Sequence, residues 1–268
     1  MRTSRLGPLF VFGLLLSVTA AQAQQATTAV PRDAQAVALL QRSLAALVST
    51  NTINDVTMSG NAIWIAGSDN QTGTVTLKGT GIGQGRIDLS LSNGLRSEVI
   101  DLSNGSQSGS WCGPDGTWHA MTGHNLFSDP SWFFPTFLIA RVLSTANYAV
   151  TTADVQTKDG ISVEHFAVYQ QIAQTGPSAR LIANLSRIDI YLDSSTLLPV
   201  AVGFNIHPDN DALTNIPTEI RFSNYQSAQG VAVPHHIQKY IQNGLTLDVA
   251  VTSIQLNTGI AATDFQAQ

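Results

Sequence analysis

From Asp55 onward, apolar side chains recur at every second position in short runs. "RIDLSLS" sets Ile87, Leu89 and Leu91 on one face and Arg86, Asp88 and Ser90 on the other, and "RIDIYLD" repeats the scheme with Ile188, Ile190 and Leu192. "LPVAVGFNIH" adds Val200, Val202, Phe204 and Ile206, and "GLTLDVAV" adds Leu245, Leu247, Val249 and Val251. A period of two with one apolar face predicts strands that bury a single side. Asn93-Gly94, Asn104-Gly105, Asp115-Gly116, Asp159-Gly160 and Asn243-Gly244 punctuate the runs at short intervals. Such turn dipeptides predict an antiparallel meander, not βαβ units.

Two segments depart from the period of two. "AQAVALLQRSLAALV" places Val37, Leu40, Leu44, Leu47 and Val48 on one helical stripe, and Asp33 precedes it as a helix N-cap. The stretch from Asp129 to Tyr148, "DPSWFFPTFLIARVLSTANY", carries Trp132, Phe133, Phe134, Phe137, Leu138, Ile139, Val142 and Leu143. It predicts a second helix, opened by the aromatic cluster with Pro135 in its first turn, between two groups of strands. "HPDNDALTNIP", His207 to Pro217, is the most polar internal stretch and predicts a long exposed connection. With no fixed repeat and no linker, residues 33–268 are expected to form one domain after a flexible segment at 24–32.

The N-terminus changes the expected location. Arg2 and Arg5 precede an apolar run from Leu6 to Val18, which leads to Ala21-Gln22-Ala23. This is the layout of a cleavable signal peptide over residues 1–23, and the run is shorter than the roughly 20 residues a membrane helix needs. A periplasmic or secreted protein, not an integral membrane protein, is expected. Cys112 is the single cysteine, so neither an intrachain disulfide nor a lipid anchor at the cleavage site is expected. The formal charge of -5 becomes -7 without Arg2 and Arg5, and 12% of residues are charged against 43% hydrophobic. No basic patch is visible, which argues against nucleic acid; the apolar balance points to a large core or a cavity.

Candidate chemistry is sparse. His235 and His236 in "GVAVPHHIQKYIQNG" fall on opposite faces of a strand, His235 with Val233, Ile237 and Ile241, His236 with Gln238 and Tyr240. They cannot chelate one ion together. His207, Asp209 and Asp211 are oxygen-rich but lack the glycine and distal glutamate of a calcium loop. "GSQSG" (Gly105 to Gly109) centres on Gln107 and not serine, so it is no nucleophile elbow. "GTGIGQG" (Gly79 to Gly85) fails the dinucleotide fingerprint because Gln84 and Arg86 hold the last-glycine positions; a hairpin end or bulge is expected. Cys112 reads as a small core residue. No catalytic residue, metal or cofactor is expected.

"YLDSSTLLPVAVGF", Tyr191 to Phe204, resembles a strand-turn-strand hairpin of the LolA/LolB-like outer-membrane lipoprotein carrier superfamily. The segment from Thr218 to Phe265 resembles the closing region of that superfamily, with a tyrosine, Gly230 and Pro234 spaced G-x-x-x-P, a final hairpin, and Asn257 and Phe265 near the end. The resemblance covers residues 185–265. It implies a mainly β (α+β) fold: a curved, unclosed antiparallel β-barrel, or half-barrel, with two or more helices covering the concave face. It further implies a non-enzymatic, exported carrier or sensor that binds lipid, lipoprotein acyl chains or another apolar ligand. Arg86 and Arg96 are the candidates for the carrier's gating arginine.

On this reading the apolar ligand site is expected at Leu40, Leu44, Trp64, Trp132, Phe133, Phe134, Phe137 and Leu138. Ligand pockets of this kind are concave and mostly apolar. Two alternatives stand beside it. One is a β-rich envelope protein that binds other envelope proteins or senses a signal, its core filled by its own side chains. The other is a hydrolase assembled from scattered residues such as His119, His124 and Asp129.

Overall fold

The computed structural model describes residues 29–103, 105 and 107–267. The expected signal peptide at 1–23 lies outside the described residues. Helix α1 (Ala34–Val48) is followed by strands β1 (Asp55–Ala66), β2 (Asp69–Thr80), β3 (Gln84–Leu91), β4 (Gly94–Asp101), β5 (Ser108–Cys112) and β6 (Trp118–Ala120). A 3-10 turn (Gly123–Phe127) leads to α2 (Pro135–Ser144), and then come β7 (Tyr148–Val150), β8 (Asp154–Lys158), β9 (Ile161–Gln170) and α3 (Pro177–Leu185). The chain closes with β10 (Ile188–Asp193), β11 (Pro199–Ile206), β12 (Ile216–Ala228), β13 (Val231–Ile241), β14 (Gly244–Leu256) and a 3-10 turn (Ala262–Phe265).

All fourteen strands join one antiparallel sheet in the order β6-β5-β4-β3-β2-β1-β14-β13-β12-β11-β10-β9-β7, with β8 on β9. The path has two free ends, so the barrel is not closed. Its centre is the β1–β14 pair, which joins the first and last strands of the chain with Ala62 opposite Val249. Side chains of one parity, among them Met58, Leu77, Ile190, Ile220 and Ile237, share a single core with α1 and α2. Burial of one face per strand is what the alternating pattern demands.

Local chemistry sets the element ends. Asp33 caps α1 by accepting from the Ala36 amide at 2.9 Å. Helix α2 begins at Pro135, not at Trp132 as the aromatic run suggests, because the residue before a proline is driven out of helical geometry. Phe134 accordingly has φ -127° and ψ 85°. Helix α3 was not expected from the pattern; it is nine residues long and buries only Leu185, too little for a legible stripe. Three hairpins turn on two residues of positive φ: Asp159-Gly160, Gln229-Gly230 and Gln242-Asn243. The expected Asn243-Gly244 turn is therefore displaced by one position, and Gly244 opens β14. Val200, expected inward, is the extra residue of a bulge between Tyr191 and Leu192 of β10 and β11. The bulge turns Pro199 inward in its place, opposite Leu192.

The glycines of "GTGIGQG" have a packing reason. Gly79 and Gly85 face each other across β2 and β3. A Cβ on Gly85 would collide with the Pro130 carbonyl, and one on Gly79 would press on Ser131 and Phe133. The missing side chains let the turn before α2 lie directly on the sheet, which carries Phe133, Phe134 and Phe137 into the core.

Candidate functional site

A cleft inside the half-barrel

The sheet curves enough that β4 and β13, with four strands between them in sheet order, line the same space. The result is a cleft of about 300 Å³ walled by Trp64, Ile87, Leu89, Trp111, Cys112, Trp132 and Leu247, with Arg96, Glu98 and Lys239 among them. A second lobe of about 190 Å³ adjoins it, between Ile100, Met121, Phe204, Ile206 and His207, and shares Glu98, Trp111, Trp132 and Lys239 with the first.

Each polar side chain reaches the cleft by strand parity. Lys239 pairs with Ile220 on β12 and Leu247 on β14, and Leu247 pairs with Trp64 on β1, so a single cation interrupts an apolar row. Its ammonium lies 5.1 Å from the centre of the Trp132 ring. The guanidinium carbon of Arg96 lies 3.9 Å from the centre of the Trp64 ring. Both contacts are cation–π in geometry. Arg96 Nε and Trp132 Nε1 are buried with no hydrogen-bond partner. Among the described residues, Arg96, Glu98 and Lys239 form no ion pair. Cys112 is a free thiol in the wall, its Sγ 3.4 Å from the Gly113 carbonyl oxygen.

Of the residues expected at the site, the structure brings Trp64 and Trp132 to the cleft. Leu40, Phe133, Phe134, Phe137 and Leu138 are buried in the common core, and Leu44 packs half-buried against it; these six line neither lobe. The pattern reading passed over Glu98, Trp111 and Lys239. Lys239 could have been found: it continues the inward series Val231, Val233, Ile237, Ile241, where a charge has no ordinary reason to sit. Glu98 and Arg96 share the parity of buried Ile100 in the same way.

The remaining polar candidates are occupied locally. His235 Nδ1 meets the Val251 carbonyl at 3.2 Å, while His236 on the opposite face meets Asp248 at 2.9 Å and Ser223 at 3.1 Å. His119 stacks on Trp111 at 4.4 Å. Asp129 receives the amide and hydroxyl of Ser131 and lies 3.1 Å from Arg141. Asp211 accepts from the Leu213 amide and the Thr214 hydroxyl. Among the described residues no group of three or more His, Cys, Asp or Glu is placed to hold a metal ion.

The loop after β11 is largely exposed, as expected, but its first residue is not. His207 is buried, because its amide donates to Asn125 Oδ1 and Asn125 Nδ2 donates back to its carbonyl, both at 2.9 Å. His124 Nε2 meets the Pro208 carbonyl at 2.9 Å, and the two imidazoles stand edge to face at 5.9 Å. This latch ties the turn after β6 to the end of β11 beside the second lobe. Burial holds the His207 imidazole below its ordinary pKa, against the opposing effect of its bond to the Thr214 carbonyl, and the neighbouring His124 lowers it further.

Comparison with known proteins

No family model matches the sequence, and no curated protein matches it. Solved structures do. A domain described as an outer membrane lipoprotein-sorting protein from Vibrio parahaemolyticus superposes with a TM-score of 0.55 at 14% identity, over 86% of this chain and 96% of that one. The chain shares their fold. A LolA superfamily protein from Nitrosomonas europaea gives 0.53 at 9% identity, over 86% and 97% of the two chains. A DUF1329 family protein from Desulfovibrio piger gives 0.53 at 11%, over 87% and 96%. The half-barrel expected from residues 185–265 thus extends across the chain. Two residues of that resemblance have structural work: Asn257 bonds the Asn54 amide and the Thr52 carbonyl at 2.7 and 2.9 Å, and Phe265 is buried. Among the described residues no helix is long and apolar enough to cross a membrane.

Proposed function

We propose that this chain is an exported, non-enzymatic carrier or sensor that takes an apolar chain into the tryptophan-walled cleft of its half-barrel. The observation that carries the reading is the cleft itself, a largely apolar space of about 300 Å³ that opens to solvent on the concave side of the sheet. That volume lies at the small end of ligand pockets, roughly 300–1,000 Å³. The description of the Vibrio domain as lipoprotein-sorting and the assignment of the Nitrosomonas protein to the LolA superfamily support the same reading. The leader at residues 1–23 would deliver the rest of the chain, with residues 33–268 as one domain, to the periplasm or beyond.

Recognition would rest on burial. A methylene-sized unit takes about 30 Å³, close to the share of one water in the liquid, so the main lobe holds about ten. Their burial yields about 8 kcal/mol before the costs of association. Micromolar affinity is the expected ceiling.

The experiment is native mass spectrometry of the mature protein from its own envelope, with organic extraction of what it carries. A bound amphiphile at fixed stoichiometry supports the reading. A clean apo mass, with no uptake of added single-chain amphiphile or lipid, overturns it. One observation favours a second reading as an envelope protein-interaction module: Phe133, Phe134 and Phe137 fill the space between helices and sheet.

A further inference from the structure

Resting on the reading of the cleft as a ligand site, we infer the chemistry of its occupant: a single-chain amphiphile with an anionic head, not a lipid with two or three chains. The first argument is charge. Arg96 and Lys239 reach the cleft from opposite sides of the half-barrel, and Glu98 lies in the same wall. Two cations and one carboxylate leave one positive charge, and the described residues supply none of the three with an ion-pair partner. Charges in apolar surroundings are normally paired. A head with one negative charge neutralises the set.

The second argument is hydrogen bonding. Arg96 Nε and Trp132 Nε1 are buried donors without acceptors, and both residues line the main lobe. Buried donors left unmet are costly and uncommon. A carboxylate or phosphate ester supplies several acceptor oxygens and no competing cation. An ammonium head would meet the wrong charge, and an alcohol would satisfy at most part of the set.

The third argument is volume. The main lobe holds about ten methylene-sized units, which fits one medium-length chain. Diacyl and triacyl lipids need several times that space, and Phe133, Phe134 and Phe137 occupy the interior that would have to supply it.

The test is a titration series on the mature chain at neutral pH, read by tryptophan fluorescence and calorimetry. Its ligands are decanoate, decyl phosphate, decanol, decyltrimethylammonium and vesicles of diacyl phosphatidylglycerol. Decanoate or decyl phosphate should bind at least about tenfold more tightly than decanol, the usual worth of a charge-assisted hydrogen bond. Which of the two acids binds better identifies the source of the head. Arg96→Gln and Lys239→Gln should each erase the preference while decanol binding persists. If either variant fails to fold, the wild-type series still decides.

Equal binding of decanol and the acids removes the anionic head and leaves the cleft reading intact. Tighter binding of the diacyl lipid overturns the single chain. If none of the decyl ligands and no lipid binds, the cleft reading falls as well.

Discussion

The guanidinium of Arg96 on β4 lies over the indole of Trp64 on β1, 3.9 Å from the ring centre, although β3 and β2 separate the two strands in the sheet. The contact spans the concavity and fixes one wall of the cleft. Removing either partner should cost modest stability, because both side chains are only partly buried. A double-mutant cycle of Trp64→Ala and Arg96→Ala, read by urea unfolding, should give a coupling of about 0.5–2 kcal/mol. Zero coupling would mean that the two side chains do not meet in solution. Trp64→Ala should also weaken uptake of a decyl ligand by about tenfold or more, since an indole supplies a large part of the apolar wall.

Gly85 tests how the aromatic turn enters the barrel. Gly85→Ala sets a methyl against the Pro130 carbonyl, and backbone on both sides prevents a small adjustment. A loss of about 3 kcal/mol is expected, against well under 1 kcal/mol for Gly123→Ala, where an added Cβ meets nothing. Thermal unfolding of the two variants side by side makes the comparison, and similar melting temperatures would show that the turn does not lie on β3.

Arg32 holds the end of α2. Its guanidinium donates to the carbonyls of Val142, Thr145 and Tyr148 at 2.9, 3.1 and 3.0 Å. These oxygens lie at and just beyond the C-terminal end of α2, where carbonyls lack helical partners and a cation is favoured. Arg32→Ala should cost about 2 kcal/mol, and Arg32→Lys should recover only part of it because one ammonium cannot span three acceptors. Denaturant midpoints of the three proteins decide the matter; a lysine variant as stable as the parent would reduce the role of Arg32 to its charge.

The histidine latch predicts a pH dependence. In the folded chain His207 has a pKa below the unfolded value of 6.5, so the unfolded state binds more protons once the pH drops toward that value. Stability should therefore decline as pH falls below about 6.5, with the loss complete below the folded pKa. Of the groups around it, His124 lowers the His207 pKa further and Asp211 raises it. Carboxylates elsewhere also lose stabilising charge in acid. The diagnostic quantity is thus the difference from His207→Gln, whose stability should change less between pH 7 and pH 5. Parallel curves for the two proteins would show that burial of the His207 imidazole does not couple stability to pH.

The sequence by itself determined the class of fold and much of its detail. Alternation in "RIDLSLS" and "RIDIYLD" specified strands buried on one face, because a period of two leaves a side chain no other choice of face. Asp33 marked the start of α1 through a local hydrogen bond, and the opposite faces of His235 and His236 followed from the same period.

Where local signals compete, the pattern gave the wrong boundary. Pro135 overrode the aromatic run before it, and the bulge at Val200 broke an alternation that looked continuous. What only the tertiary structure decided was the cleft. Phe133, Phe134 and Phe137 look like ligand contacts in the sequence but fill the core, while Glu98 and Lys239 look like surface charges and line one cleft from distant strands. The reason is physical. Period and propensity fix which way a side chain leaves its own strand, whereas the space it enters depends on the curvature of strands far away in the chain and on the turn that Gly79 and Gly85 admit.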